Sequence, residues 1–447
     1  MVYVAILLLS AFLGIAPELS IFSNLERFNG IENQIYLFLY LYLASRLLDR
    51  PLWRGVIFAS LMLIALLINI DTLVNHGTDI ATGYGSLFGS KNYLAGFNFS
   101  VFIISVFLYL NHREQIWVKV SLAIGVLALF VALITFTRAP LLGFFLAFAI
   151  WLIRFGHTSW RHQKWFISAM LIMGLMGIGF VLKFSDHLLR PHNLPSRLDM
   201  WQISLQGFQE SPFIGVGPEN FGYLFDKYHP GQYALQDEQW IDNAHNILFN
   251  TLSESGLLGI TAFFIMVFIL FQYAFRKAKE QPVYQVMLLA LIMIYIEQLF
   301  ILNSISQNIP QILIITCFSK EIPTINMRCV KSKLLIKPIK LIFGLIIAFV
   351  VYKTILLETY RHYQFATIYR SLPKNLSATH DDLLEYFNHP PIRRTYLVQK
   401  MAVDLVKMEA SAQTPKHSIL NYKNLIVSEL NKIIQSNPRH IRTQVIL

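Results

Sequence analysis

Apolar residues in this chain come in long runs rather than at the spacing of one helix face or one strand face. Runs of about 17–25 such residues are long enough to cross a bilayer as helices. The strongest are 52–74, 93–111, 116–136, 165–183, 256–275, 282–302 and 338–357, and shorter or more polar ones are 1–17, 34–48, 139–154 and 306–318. The pattern predicts an all-α, polytopic integral membrane protein with about eleven transmembrane helices. The run 1–17 is kept as a span, because no basic stretch precedes it and no small-residue cleavage site follows. Two polar, helix-prone segments interrupt the pattern. The expected organisation is N-terminal spans in 1–183, a large external helical loop in 184–255, C-terminal spans in 256–358 and an external helical tail in 359–447.

Composition strengthens the membrane assignment. Of the 447 residues, 55% are hydrophobic and only 14% charged. A soluble domain carries about 25% charged residues. Mean hydropathy is +0.50.

The net charge of +11 raises the question of nucleic acid, and its distribution answers it. Basic residues cluster at 46–54, 113–119, 154–164, 276–279 and 320–340, in alternate connections between spans. The other short connections hold only Arg27, Lys91 and Arg138. Positive charge on one side of the spans sets orientation, so the basic connections face inward and 184–255 and the tail face outward. Attraction to anionic lipid is a secondary effect. Nucleic acid is not an expected partner. The two cysteines, Cys317 in a span and Cys329 in an inner connection, leave the outer segments without a disulfide, and no zinc-ligand spacing is present.

The tail breaks at Pro373, Pro390–Pro391 and Pro415. Its last helix-length stretch, NYKNLIVSELNKIIQSNPRH, is similar to one tetratricopeptide-type helix; a small helical bundle is the plainer expectation.

In the external loop, Leu198, Trp201, Leu205 and Phe208 have the spacing of one helix face. Ser196 and Asp199 fit a capping box, which places Arg197 in the first helical position. A helix N-terminus offers unpaired N–H groups and partial positive charge, and a guanidinium there binds two phosphate oxygens at once. Snorkelling to lipid headgroups or pairing with Asp199 are the alternatives for Arg197. Downstream, Asp242 or Asn243 is placed to cap a helix through Asn246 to Ser253, ended by Gly256, with His245 at its start. Histidine suits proton transfer near neutral pH, and also serves purely structural roles. Arg138 lies on the tight outer turn TFTRAP, where an anchoring role is open to it. Lys91 precedes the span 93–111.

Four pieces, SLFGSKNYLAGF at 86–97, TFTRAPLLGFF at 135–145, RLDMW with SPFIGVGPENF at 197–221, and AHNILFNTLSESGLLG at 244–259, resemble the O-antigen ligase family. Its wider superfamily includes O-antigen polymerases and O-linked protein oligosaccharyltransferases. The resemblance covers about 80–320, in family order. It implies an enzyme of lipopolysaccharide and cell-envelope polysaccharide biosynthesis in the cytoplasmic membrane. Such an enzyme moves a glycan from a polyprenyl (undecaprenyl) pyrophosphate carrier to a hydroxyl of lipid A core, another glycan or a protein, on the outer face, without nucleotide, cofactor or metal. It implies Arg138 and Arg197 as the groups that hold the pyrophosphate and stabilise its developing charge, and His245 as the base for the attacking hydroxyl. Lys91, Asn92 and Asn246 join them as substrate contacts. Trp201, Tyr223, Tyr228 and Trp240 are candidates to stack on sugar rings or to pack the core. Protein partners are expected through the tail.

Other classes predict other features. A carboxylate-dependent lipid-linked glycosyltransferase needs an essential acid, for which Glu18, Glu26 and Glu32 in the first outer connection are the candidates. A transporter or flippase needs ionisable or broken span centres and internal repeats; Glu297 is the main charged residue within a span, and no repeat is visible. A scaffold that displays the tail needs none of the arginines.

Overall fold

A computed structural model of the chain describes residues 2–23, 29–76, 90–159, 197–228, 241–302, 304–318 and 416–436, with isolated positions between them. Every regular element among the described residues is helical. The chain divides into two compact units, residues 1–23 with 27–323, and residues 24–26 with 324–447.

In the first unit, α1 (Val2–Leu13), α2 (Pro17–Phe22) and α3 (Ile31–Leu47) precede α4 (Pro51–Asp71), which runs into a π-helical turn at Thr72–His76. Then come α5 (Lys91–Asn111), α6 (Ile116–Ile134) and α7 (Arg138–Ser159). The loop helices α8 (Arg197–Glu210) and α9 (Phe221–Tyr228) lead to the long α10 (Ile247–Glu280), then α11 (Tyr284–Gln298) and α12 (Ile305–Phe318). In the second unit, α13 (Lys416–Ser436) buries Leu425, Ile426 and Leu430, and its Lys432 pairs with Glu429 at 2.7 Å.

Among the described residues, four helices are long and apolar enough to cross a bilayer: Pro51–Asn75, Lys91–Asn111, Ile116–Ile134 and Ile247–Glu280. Val2–Leu13, Arg138–Trp151 and Tyr284–Gln298 are shorter apolar helices. The chain is thus a multi-pass membrane protein. The expected spans at 165–183 and 338–357 lie outside the described residues.

Helix α5 is the centre of the bundle. Nearly every side chain from Leu94 to Leu108 is buried, among α4, α6, α7, α11 and α12. Its Phe99 stacks on Phe144 of α7 at 5.3 Å. Asn98 and Asn69 of α4 exchange two side-chain hydrogen bonds, of 2.8 and 3.1 Å, so neither buried amide is left unpaired on that side. The outward residues of the peripheral helices, such as Leu63 and Leu67 of α4 and Phe264 and Phe268 of α10, are exposed and apolar. In lipid such faces carry no penalty.

Helix α10 is bent at Gly256, where φ is +60° and ψ is −161°. The bend removes the hydrogen bonds that Leu257 and Leu258 N–H would give to Ser253 and Glu254 carbonyls. The loop after α8 replaces both. Leu257 and Leu258 N–H donate to Pro212 and Phe213 carbonyls at 2.8 and 3.1 Å, and Val216 and Gly217 N–H donate to Ser253 and Glu254 carbonyls at 3.0 and 2.9 Å. This exchange needs two backbones in contact. A Cβ on Gly256 would fall on the Phe213–Ile214 backbone, and one on Gly215 (φ +70°) on Glu254–Ser255. The Ser10 hydroxyl of α1 completes it by donating to Ile214 O and Glu254 O, at 2.6 and 2.8 Å.

Candidate active site

The turn at 242–246 is built by asparagines. His245 sits just before α10, not within it, with φ +50°. Asn246 is the helix cap instead of Asp242 or Asn243; its Oδ1 accepts from Leu248 N–H at 2.9 Å and Phe249 N–H at 3.4 Å. Asn243 Oδ1 accepts the His245 N–H at 2.9 Å, and Asn250 Oδ1 accepts the Ala244 N–H at 3.1 Å. A histidine in the left-handed region is uncommon, and here three amide side chains hold it there. The imidazole is partly exposed.

Arg197 occupies the first position of α8, as the capping pattern predicts. Ser196 lies outside the described residues. The buried face of the helix differs from the expected one. Met200, Ile203, Ser204 and Gly207 face the protein, while Leu198 and Leu205 are exposed. Trp201 stacks on Phe249 of α10 with centroids 5.0 Å apart and planes at 7°. Further along, Pro212 pairs with Leu257. The starts of α8 and α10 therefore run in parallel, and Arg197 and His245 each precede a ring of the stack by four residues. Arg197 and His245 thus stand at the starts of two neighbouring helices.

A second register places the other cations. Helices α7 and α11 pack antiparallel: Trp151 Nε1 donates to Gln285 Oε1 at 3.2 Å, and Gly143 lies against Met293 and Glu297. Extending α7 back five residues, about 7.5 Å, puts Arg138 level with Phe300, just beyond α11. The Arg197 guanidinium lies over that same Phe300 ring, 5.8 Å from its centroid. On α5, Gly96 is tight against Glu297 and Gln307, and Lys91 begins that helix five residues earlier. Lys91 and Arg138 lie within electrostatic range of each other. Lys91, Arg138 and Arg197, each at the first position of a helix, thus lie around the C-terminal end of α11. The partial positive charge of three helix starts adds to theirs. Asn92 follows Lys91 and is partly exposed.

The aromatic candidates divide. Tyr223 is buried in α9 with Phe221, Leu224 and Phe225. Burial, with Asp226 and Glu18 nearby, pushes its phenol above the usual tyrosine value. Trp201 gives one ring face to Phe249, and its Nε1–H is buried with no hydrogen-bond partner among the described residues. Tyr228 is half-buried against the α8–α9 core. Trp240 lies outside the described residues, as does Glu26. Glu18 and Glu32 stand in the first turns of α2 and α3. Among the described residues no group of three His, Cys, Asp or Glu side chains has the arrangement to hold a metal.

Sequence reasoning missed Glu254, which is buried with its Oε2 accepting from Asn250 Nδ2 at 2.8 Å. The signal was present as Asn250 and Glu254 four apart, a spacing that puts both on one helix face.

Residues 123–264 match the family model described as O-antigen ligase, the family that the motifs resemble. That window holds Arg138, Arg197, Trp201, Tyr223, Trp240, His245 and Asn246; Lys91 and Asn92 lie before it. The teichuronic acid biosynthesis protein TuaE of Bacillus subtilis (strain 168) is 24% identical over 257 residues. The aligned part is 51% of this chain and 52% of TuaE, so the chain spans about half the length of the curated relative it matches.

Proposed function

We propose that this chain transfers a glycan from a polyprenyl-pyrophosphate lipid to an acceptor hydroxyl on the outer face of the cytoplasmic membrane. The reading is supported by three cationic helix starts near the C-terminal end of α11, one of them beside the helix that His245 precedes. A pyrophosphate is the ligand such a cluster suits, because it carries several charged oxygens for two forked guanidiniums, one ammonium and the partial positive charge of the helix starts.

In the reaction, the acceptor hydroxyl attacks the anomeric carbon of the donor. Its proton passes to His245, the sugar–phosphate C–O bond breaks, and polyprenyl pyrophosphate leaves with the bonding electron pair. Arg138, Arg197 and Lys91 stabilise the charge that grows on the leaving oxygen. Asn92 and Asn246 border the donor, and the buried Trp201 Nε1–H is a donor for a substrate oxygen. The packed position of Tyr223 favours a structural role for it. The acceptor classes are lipid A core, another glycan and a protein. TuaE is named for teichuronic acid biosynthesis, which supports keeping glycans among them.

The test is transfer in nanodiscs from a synthetic polyprenyl-pyrophosphate glycan. Arg138→Lys and Arg197→Lys should each lower donor affinity or rate at least about tenfold, the value of one charge-assisted hydrogen bond. Wild-type behaviour in both variants would reduce the arginines to membrane anchors. Deleting the gene and identifying what accumulates, undecorated lipid A core, single repeat units or unglycosylated protein, separates the acceptor classes.

A further inference from the structure

A cavity of about 320 Å³ is lined by α1, α3, α10, α11 and α12, with Pro218 and Glu219 of the loop before α9. That is the size of a small-ligand pocket. Its lining is graded along the helices. Gln34, Glu219, Asn250, Glu254, Gln298 and Gln311 lie toward the outer ends, while Leu41, Phe263, Met266 and Ile315 lie a few turns deeper. Tyr3 and Tyr295 add two phenol rings. Among the described residues no lysine, arginine or histidine lines it.

Glu254 defines the chemistry. Its residue is 7% exposed; Asn250 Nδ2 donates to Oε2, the Glu219 and Phe221 backbone N–H groups also act on the carboxyl, and Glu254 lines the cavity. The Glu219 carboxyl lies near enough to act on it electrostatically, and is itself bonded to the Ser23 hydroxyl at 2.7 Å. A carboxyl keeps acceptor capacity beyond those contacts, which a ligand hydroxyl can use. Among the described residues the cavity offers two carboxyls and no cation, so it gives a pyrophosphate no countercharge. Carboxyl and carboxamide groups arranged with aromatic faces suit neighbouring hydroxyls and the apolar face of a sugar ring. Ile247, two residues after His245, lines the same cavity.

We propose that this cavity is the acceptor subsite, which takes a neutral, hydroxyl-rich sugar or polyol group and presents one of its hydroxyls to His245. The assignment rests on the transfer reaction above and deepens it: anionic donor at the cationic helix starts, neutral acceptor in the acidic cavity. The apolar inner end admits either the sugar of a glycolipid or a glycan without lipid.

The experiment uses the full chain in nanodiscs with three diazirine photoprobes: maltose, the same disaccharide on diacylglycerol, and phosphatidylcholine without a sugar. Labelled peptides are mapped by mass spectrometry. At least the glycolipid should label within 247–255 or 295–312, with excess free maltose or glycolipid competing. Labelling by free maltose as well means that the sugar alone is recognised; labelling by the glycolipid alone means that the acceptor is lipid-anchored. Glu254→Gln removes the charge, and Leu37→Trp fills the cavity from α3 should the first variant fold poorly. Each should cut labelling about tenfold, as the loss of one strong hydrogen bond does. Equal labelling by the phosphatidylcholine probe, labelling elsewhere, or full labelling in Leu37→Trp overturns the proposal. Binding of the polyprenyl-pyrophosphate glycan should survive Leu37→Trp and fall in Arg197→Ala. If Arg197→Ala binds the donor normally, the transfer reading fails while the labelling result still stands by itself.

Discussion

His245 shows how much of this site is backbone engineering by small amides. Holding a non-glycine residue at φ +50° costs of order 1–3 kcal/mol, and that conformation persists only where its surroundings enforce it. Asn243, Asn246 and Asn250 do so with hydrogen bonds of 2.9 to 3.4 Å to four consecutive or nearly consecutive N–H groups. The backbone that carries the imidazole is therefore set before any substrate arrives. His245→Ala should lower transfer by about 10²–10⁴, the range for loss of a general base, while the affinity for the lipid donor stays within a few-fold. Equal losses in donor binding and rate would make the histidine a binding group instead. Trp201 offers a narrower test. Trp201→Phe keeps a ring on Phe249 and removes only the buried N–H. Donor affinity measured by fluorescence quenching should fall about tenfold if that N–H serves the substrate, and an unchanged affinity assigns Trp201 to packing alone.

At the scale of elements, the exchange at Gly256 ties the two loop motifs together. Four hydrogen bonds pass between the 212–217 loop and the bent α10, so the angle of the α10 start, and with it His245, depends on a loop more than thirty residues earlier. Gly256→Ala meets both a positive φ and the Phe213–Ile214 backbone. It should cost at least about 2 kcal/mol, strain and displaced packing together, read as a lower thermal midpoint in detergent. Gly55→Ala is the control: nothing lies within 4 Å of its added Cβ. Removal of a mid-helix glycine there should leave the midpoint equal or slightly higher.

The same elements show what was legible in the sequence. The start of α8 at Arg197 and the break at Gly256 follow from local signals. The face of α8 was misread because periodicity finds apolar residues without saying what covers them, and in a membrane protein Leu198 and Leu205 can face lipid as readily as core. The cap of α10 was placed too early, since Asp242, Asn243 and Asn246 all have capping side chains and only the backbone path decides among them. The approach of Arg197 to Phe300 and of Lys91 to Arg138 was beyond reach. It depends on the packing register of α7 with α11, which no local pattern encodes.

For the whole molecule, charge and cluster make one joint prediction. The basic residues at 46–54, 113–119 and 276–279 border the ends of helices opposite to Lys91, Arg138 and Arg197, as an inward basic side requires. If those connections face the cytoplasm, the α8–α9 loop, the site and the tail all face outward. That arrangement is also what the reaction demands, because no charged lipid headgroup then has to cross the bilayer to meet His245. Gln209 is exposed on α8, and Asn424 is exposed on α13. In a chain whose Cys317 and Cys329 are replaced by serine, Gln209→Cys and Asn424→Cys should both react with a membrane-impermeant maleimide in intact spheroplasts. A cysteine at Glu114, exposed between α5 and α6, should react only after the membrane is opened. The reverse pattern would place the cationic cluster inside and remove it from any donor glycan presented on the outer face. Labelling of Gln209→Cys but not Asn424→Cys would keep the site outward and require an odd change in the number of spans between Glu280 and the tail.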